Sequence, residues 1–482
     1  MIEEQNLKQR TSKALAWSGV NSGMTQLLNL VIGIFLARLL SPGDYGIVGV
    51  LAIFSALAGN LQDVGFTQSL INLRSPENRD YNSVFWFSAV TSLCLYALLF
   101  LSAPLIAAFY HEELLVELSR VLFLGFFIAS LSIPSGAWLK KNLRNREMAE
   151  IGLTALVLSG ITGIAVAVMG GRHWALVAQQ LTYIGITTVG RFIACPWRPS
   201  LSWEFAPVRG MMRFGVNIFL TNVVNTLSQN LLTVVFGHYL SKAATGFYTR
   251  ANMWNNMGHQ LVSNTTNQLA QTVFVEVREE RERELRVWRK MLRFTAFLSM
   301  PAMLGLSLIS DEVTAILGPQ WAESAPLLRV LAVSGAFMPV YTLYQSLLIS
   351  HGRGRAYMLL GVGQVVCLLL AALLFAREGV YTMVVAYTVL QILYLLPWQM
   401  VTGRVCDVRA GMVVRDILPY LLSAAAVMML TWALTSPFEG IPFWLMLLVR
   451  IPLAAVLYAV LMWVRRDDIL VEIIHNLRWK FQ

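Results

Sequence analysis

Long apolar runs recur along the chain, each close to the length at which an α-helix crosses a bilayer. A helix needs roughly 20 predominantly apolar residues to cross a hydrocarbon core of about 30 Å. Runs of this kind lie near residues 14–39, 45–70, 83–107, 115–139, 148–170, 173–195, 210–237, 245–274, 291–310, 324–349, 355–376, 380–403, 413–434 and 441–464. The pattern therefore predicts an all-α polytopic membrane protein with about 14 transmembrane helices.

The composition agrees with a chain that faces lipid. Hydrophobic residues make up 56% of the 482 residues and charged residues only 13%, whereas a soluble domain carries about 25% charged residues. This excludes a large soluble enzyme, a disordered scaffold and a disulfide-stapled module. The four cysteines lie far apart without metal-ligand spacing, so we expect no metal site. The sequence has neither a G-x-x-x-x-G-K-[ST] nor an H-E-x-x-H motif, and no long loop, so we expect no cofactor and no enzymatic activity.

Basic residues are distributed unevenly along the chain. With fourteen spans both termini lie on one side, and 29 of the 37 lysines and arginines fall in the termini and the loops of that side. Cytoplasmic loops collect such residues, so both termini are predicted to be cytoplasmic. The net charge of +10 is thereby explained without nucleic acid.

A sparse internal repeat appears when the chain is shifted by 200 residues. The identical pairs include Leu40/Leu240, Ser41/Ser241 and Gly46/Gly246. Parallel repeats of this kind occur in transporters that bind substrate between two halves. The predicted divisions are an N-lobe of six spans (1–200), the start of a C-lobe (201–275), a charged cytoplasmic linker helix (276–290), the rest of the C-lobe (291–405), and two further helices with a cytoplasmic tail (406–482).

Amides and one histidine recur on single faces of three predicted spans, and the second span adds Gln62 and Asp63. Such side chains avoid lipid, so they face a bundle interior or a wet cavity. The residues predicted to bind substrate in a hydrophilic chamber are Asn21, Gln26, Asn29, Asn222, Asn225, Asn252, Asn256 and His259. Helix–helix adhesion at about 0.6 kcal/mol per amide is the alternative. Asp63, the one deep acid found, is a candidate coupling or gating residue.

Three arginines inside spans are further candidates for substrate binding. Arg38, Arg250 and Arg450 predict a chamber that is suited to an anionic solute. Arg38 and Arg250 lie near span ends, where snorkelling to the interface is the alternative role. Arg450 lies deep in the last span, where a structural pair with a carboxylate is the alternative.

Several short stretches resemble a known family. They are 36–46 (LARLLSPGDYG), 63–66 (DVGF), 104–110 (PLIAAFY), 171–177 (GRHWALV), 246–251 (GFYTRA) and 317–321 (LGPQW). Together they resemble the polysaccharide-transporter branch of the multidrug/oligosaccharidyl-lipid/polysaccharide exporter superfamily, the Wzx-type flippases, and above all its colanic-acid-exporter-like members.

The resemblance implies two six-helix lobes in a V shape, two extra C-terminal helices and a central cationic cavity. It implies alternating access for an undecaprenyl-pyrophosphate-linked oligosaccharide, which is a repeat unit of O-antigen, capsule or exopolysaccharide. This substrate would move from the inner to the outer leaflet of the bacterial cytoplasmic membrane. Arginines would then bind pyrophosphate and amides the sugar hydroxyls. The lipid-linked oligosaccharide, the phospholipid bilayer and the polysaccharide polymerase machinery are the expected partners.

The chain departs from the related lipid II flippases at two places. They carry arginines in the middle of the first helix, where this chain has residues 21–29, rich in amides. Their acidic sodium ligand on helix seven has no counterpart in residues 217–229. Protons and sodium both remain candidate coupling ions, and the pyrophosphate anchor is expected at other positions.

Three other functions are alternatives. A multidrug antiporter of the same superfamily would need buried carboxylates for cationic drugs. A membrane glycosyltransferase or polysaccharide polymerase would need a large outer loop with catalytic residues, which the sequence does not predict. A lipid scramblase without headgroup contacts would be insensitive to alanine at Arg250 and Arg450.

Overall fold

The computed structural model describes residues 23–472, except 64–65, 74–75, most of 202–229, 278–279, 376 and 439. All regular secondary structure in the described residues is helical. The chain divides into two compact units, of which unit 1 ends at Gly246 and unit 2 begins at Phe247. The all-helical prediction is confirmed.

Unit 1 contains nine helices and the first turn of a tenth within its described residues. They are α1 (Gly23–Leu39), α2 (Pro42–Asp63), α3 (Phe66–Asn72), α4 (Asn78–Tyr110), α5 (Leu114–Leu131), α6 (Ile133–Lys141), α7 (Asn145–Val168), α8 (Trp174–Ala194), α9 (230–239) and the start of α10 (Lys242–Val277).

Within its described residues, unit 2 continues α10 and adds nine α-helices, with further helical residues at 468–472. They are α11 (Arg281–Leu308), α12 (Ser310–Leu317), α13 (Ser324–Gly335), α14 (Met338–Ser350), α15 (Gly354–Leu374), α16 (Val380–Leu393), α17 (Leu395–Cys406), α18 (Ala410–Thr435) and α19 (Phe443–Val464). The helix α12 ends at Gly318, whose φ of 118° suits glycine because it has no Cβ.

Among the described residues, ten helical segments are long and apolar enough to cross a membrane. The more polar α8 and α10 and the shorter described helix α1 are not among them. Helical residues are found within every apolar run predicted from the sequence, although most of 210–229 lies outside the described residues. The chain is therefore a multi-pass membrane protein, and the count of fourteen spans stays a prediction.

The charged segment 276–290, predicted to be one linker helix, is divided between two helices. Its first residues end α10 at Val277, and residues 281–290 are the first turns of α11, which continues to Leu308. Glu280, with φ −105° and ψ 85°, is outside the helical region. The charged turns are thus a continuation of a membrane helix.

Equivalent serines start two helices that lie 200 residues apart in the sequence. The Asp44 backbone N–H donates to Ser41 Oγ (3.3 Å), and the Ser41 backbone N–H donates to the Asp44 carboxylate (3.0 Å), which together cap α2. At the start of α10, the Ala244 backbone N–H donates to Ser241 Oγ (3.2 Å). Both caps satisfy backbone N–H groups that have no partner within the helix.

The two capped helix starts touch each other through a reciprocal pair of glycines in unit 1. A Cβ added to Gly46 would lie 1.9 Å from the Lys242 carbonyl oxygen, and one added to Gly246 would lie 1.9 Å from the Pro42 carbonyl oxygen. No side chain fits either position. Glycine at both places therefore allows the first turns of α2 and α10 to be in backbone contact.

Each unit has its own buried core, and large apolar side chains cover much of the outside. In unit 1, Leu51, Leu118 and Phe123 belong to one fully buried cluster. In unit 2, Trp288 and Tyr344 pack with ring centroids 5.7 Å apart. Exposed apolar residues of this kind are expected on a surface that faces lipid rather than water.

A buried carboxylate joins α11 to α18. The side chain of Asp416, 1% exposed, accepts hydrogen bonds from Arg289 Nε (2.7 Å) and Nη2 (2.9 Å) and from Arg293 Nε (2.8 Å). The sequence had indicated that these arginines are solvated charges near the cytoplasmic side. Instead they hold two membrane helices together by charge-assisted hydrogen bonds.

Candidate functional site

Helix α10 carries a continuous polar face in unit 2. Asn252, Asn256, His259 and Ser263, which we call the α10 polar face, recur at intervals of three and four residues and are half-buried. His259 Nε2 lies 3.1 Å from Asn256 Oδ1. The predicted substrate residues of this helix thus share one side of it.

Several polar atoms on α10 are buried without a hydrogen-bond partner among the described protein atoms. They are Asn255 Oδ1, His259 Nδ1 and Ser263 Oγ. Buried polar atoms are nearly always hydrogen-bonded, to protein or to something else, because desolvation without a partner costs about 1–3 kcal/mol. His259 Nδ1 and Ser263 Oγ belong to the α10 polar face, so within the described part of the chain this face keeps unused hydrogen-bonding capacity.

Arg250 lies at the beginning of the same helix and is buried, 5% exposed. Its guanidinium carbon lies 5.6 Å from the centroid of the Trp321 ring, which follows α12 in the chain. Nη1 lies 2.9 Å from Met253 Sδ. Snorkelling to an interface, the alternative role for this residue, does not fit a side chain that is buried with its charge over an indole ring.

Arg450 is also buried, and a carboxylate neutralises it. Its Nη1 donates to Glu312 Oε1, and its Nε donates to Thr435 Oγ1 (3.0 Å). This is the structural pair that the sequence left open as an alternative. Burial raises the pKa of the Glu312 carboxyl above its usual range, although the Arg450 guanidinium acts in the opposite direction.

The remaining predicted residues lie in unit 1 or outside the described part of the chain. On α1, Gln26 and Arg38 are exposed and Asn29 is half-buried. Outside the described residues lie Asn21, Asn222, Asn225 and the side chain of Asp63. The structure therefore places Asn252, Asn256 and His259 on one side of α10, Arg250 against Trp321, and Arg450 beside Glu312 of α12.

Unit 1 contains a small cationic pocket that the sequence reasoning did not identify. Its volume is about 290 Å³, and Thr67, Gly136, Lys140 and Arg191 are among its lining residues. Arg191 Nη1 donates to Ser132 Oγ (3.2 Å). Both cations had been counted as cytoplasmic loop charges, and only the packing of α6 against α8 shows that they share a pocket.

Two further residues escaped the sequence reasoning for a similar reason. Glu312 is in a segment between two apolar runs and reads as a loop residue, yet it is buried beside Arg450. Asn255 is adjacent to the predicted Asn256 in the sequence, but it packs against α13. A Cβ added to Gly335 of that helix would lie 2.3 Å from Asn255 Oδ1. Spacing along a helix identifies a polar face but not the partner helix.

Comparison with known proteins gives consistent matches. A family model described as polysaccharide biosynthesis protein matches residues 35–326, more than half of the chain. The teichuronic acid biosynthesis protein TuaB of Bacillus subtilis is 24% identical over 417 residues, which cover 85% of this chain and 86% of that protein. The lipopolysaccharide biosynthesis protein WzxC of Escherichia coli is 26% identical over 358 residues, covering 72% and 71%.

A solved structure shows a similar fold. The lipid II flippase MurJ in an inward closed conformation superimposes with a TM-score of 0.74 and 14% sequence identity, covering 93% of this chain and 99% of that chain. The similarity extends over nearly the whole length of both proteins, so the helices share one arrangement in space despite the low identity.

Proposed function

Since the chain belongs to the polysaccharide biosynthesis protein family, within the multidrug/oligosaccharidyl-lipid/polysaccharide exporter superfamily, we propose that it is a lipid-linked oligosaccharide flippase. The substrate is an undecaprenyl-pyrophosphate-linked repeat unit of O-antigen, capsule or exopolysaccharide. It moves from the inner to the outer leaflet of the bacterial cytoplasmic membrane. The names of TuaB, WzxC and MurJ support a polysaccharide or lipid-linked substrate class.

The observation that carries the proposal is the set of unsatisfied polar atoms on α10. A sugar offers many hydroxyl groups, each of which both donates and accepts a hydrogen bond. Such groups would satisfy His259 Nδ1 and Ser263 Oγ on the α10 polar face, whichever tautomer the imidazole adopts. A drug-like apolar cation would leave these atoms unpaired, so the chemistry of α10 favours a sugar.

The pyrophosphate needs a cation that stays fixed while the substrate moves. Arg250 meets this need because its guanidinium is always charged and is oriented by Trp321. On the side where the substrate enters, Lys140 and Arg191 add a second cationic pocket. We assign a supporting role to Arg38 and the amides of α1, and leave Arg450 to its pair with Glu312.

Transport proceeds by alternating access, with both termini in the cytoplasm and the two lobes opening in turn. The distribution of lysines and arginines supports this orientation. The lipid tail remains in the bilayer while the sugar and the pyrophosphate pass through the polar interior. The polysaccharide polymerase receives the repeat unit on the outer leaflet.

The test follows a labelled lipid-linked repeat unit in a strain that lacks its own flippase. With the chain present, we expect the unit on the outer leaflet, where an impermeant enzyme cleaves it; without the chain, it stays inside. The double variant Asn256→Ala/His259→Ala should reduce transport, whereas the matched control Asn142→Ala, an exposed amide at the end of α6, should not. Label that stays inside with wild-type chain at normal abundance contradicts the proposal.

A further inference from the structure

Unit 2 contains a larger cavity whose lining includes no residue of α10. Its volume is about 840 Å³, and it is lined by residues of α11, α12, α13, α18 and α19. It lies at the end of unit 2 where α11 and α18 end and α19 begins. Phe443, the first residue of α19, and Arg450 both line the cavity and are seven positions apart. At 1.5 Å per residue, the cavity therefore extends roughly 10 Å along the axis of α19.

The polar part of this cavity holds two acids and two arginines. Glu312 pairs with Arg450 deep inside, and Asp311 pairs with Arg329 at the exposed rim. The four charges cancel, so the cavity has no net affinity for a simple anion or cation. Dipolar ligands are the ones that such a balanced set of charges attracts.

One atom in this set has no partner. Glu312 Oε2 is buried and accepts no hydrogen bond from the described protein atoms, while Oε1 accepts from Arg450. A buried carboxylate oxygen without a donor is costly, and the raised pKa of this carboxyl has the same cause. A ligand that brings an N–H or O–H group to Glu312 removes that cost.

The remaining lining is apolar and partly faces the bilayer. Met429 and Trp432 of α18 line the cavity and are more than half exposed in the protein alone. In a membrane this exposed side is in contact with acyl chains. A ligand that enters from this side therefore combines a hydrocarbon portion with a small polar group, as a membrane lipid does.

We propose that this cavity binds a phospholipid whose headgroup carries a primary ammonium, as in phosphatidylethanolamine. The ammonium donates to Glu312 Oε2 and to the Asp311 carboxylate, the phosphate accepts from Arg329, and the upper acyl chain packs on Met429 and Trp432. This site does not bind the transported oligosaccharide. Its test therefore does not depend on the function proposed above.

The ammonium group distinguishes this ligand from other lipids of the bilayer. The choline of phosphatidylcholine has the same charge but no N–H group, so it satisfies neither carboxylate by hydrogen bonding. Phosphatidylglycerol adds a net negative charge next to Asp311 and Glu312, whose arginines are already paired. A polyprenyl phosphate has no ammonium at all.

The experiment measures lipid retention by the full-length chain in native mass spectrometry. The purified protein is incubated with equal amounts of phosphatidylethanolamine, phosphatidylcholine and phosphatidylglycerol with identical acyl chains. We expect phosphatidylethanolamine to be retained roughly tenfold over phosphatidylcholine, the ratio that charge-assisted hydrogen bonds of this kind provide. Equal retention of these two lipids, or preference for phosphatidylglycerol, overturns the proposal.

Three variants locate the binding. Glu312→Gln should abolish the preference for the ammonium headgroup, and Asp311→Asn, at the exposed rim where folding is not at risk, should reduce it several-fold. Glu378→Gln, an exposed acid in the loop before α16, is the matched control and should leave it unchanged. A preference that is undiminished in Asp311→Asn, or displacement of phosphatidylethanolamine by a polyprenyl phosphate, contradicts the assignment.

Discussion

The close backbone contact at Gly46 and Gly246 predicts that a methyl group added at either position destabilises the protein. An alanine at Gly46 places its Cβ 1.9 Å from the Lys242 carbonyl oxygen, and the acceptor is backbone, which cannot rotate away. Since ordinary contact begins near 3.4 Å, the two helix starts must separate by about 1.5 Å.

This displacement exceeds what a close-packed interior absorbs without loss. Overpacking by one methyl group in a well-packed site costs typically about 1–3 kcal/mol. The shift also strains the ion pair of Lys242 with Glu112, which joins the start of α10 to the end of α4. We therefore expect Gly46→Ala to reduce the free energy of unfolding by about 1–3 kcal/mol, although alanine is the better helix former.

The measurement is unfolding in mixed detergent micelles, followed by tryptophan fluorescence. Gly152→Ala is the matched control, because Gly152 also lies within a helix and a Cβ there meets nothing within 4 Å; its stability should stay equal or rise. Gly246→Ala should resemble Gly46→Ala.

The double variant provides a sharper test of the same contact. One gap between the helix starts accommodates both added methyl groups, so the double variant should lose less stability than the sum of the single losses. Strictly additive losses, or Gly46→Ala as stable as Gly152→Ala, would refute the reasoning.

Three further predictions concern charged residues. Asp416→Ala leaves Arg289 and Arg293 without their buried acceptor and should lower the free energy of unfolding by about 3–5 kcal/mol in the same assay. By contrast, Asp407→Ala removes an exposed pair and should lower it by at most about 1 kcal/mol. Arg250→Lys keeps the charge but loses the planar stacking, so transport of the labelled repeat unit should fall without being abolished; unchanged transport would argue against substrate contact. Arg450→Met alone should destabilise the protein, and Arg450→Met combined with Glu312→Leu should restore stability, because the pair is then replaced by apolar side chains; no recovery would contradict a purely structural pair.

Hydropathy alone identified most of the helical framework. The apolar runs predicted helices where the structure has them, since the bilayer imposes one length and one kind of backbone structure on every span. The spacing of Asn252, Asn256 and His259 likewise predicted a shared face, because helical periodicity depends only on the local sequence. The family resemblance was confirmed as well, since the matching stretches are themselves local sequence.

The pairing of charges was outside the reach of local sequence. Glu312 and Arg450 lie 138 residues apart, and Arg289 and Asp416 lie 127 apart. Hydropathy placed Glu312 in a loop and Arg289 in a solvated linker. Only the packing of α12 on α19 and of α11 on α18 brings these charges into contact.

The glycine pair Gly46 and Gly246 illustrates what the sequence and the tertiary structure each contribute. The sequence by itself predicted that Gly46 and Gly246 are equivalent positions in a repeat of 200 residues, each five residues after an equivalent serine. Only the tertiary structure shows that the two positions are in contact. A glycine is compatible with a close backbone approach, but the sequence does not indicate which backbone segment makes it. Local sequence specifies helices and their faces, whereas the choice of partner for each face depends on three-dimensional packing across the whole chain.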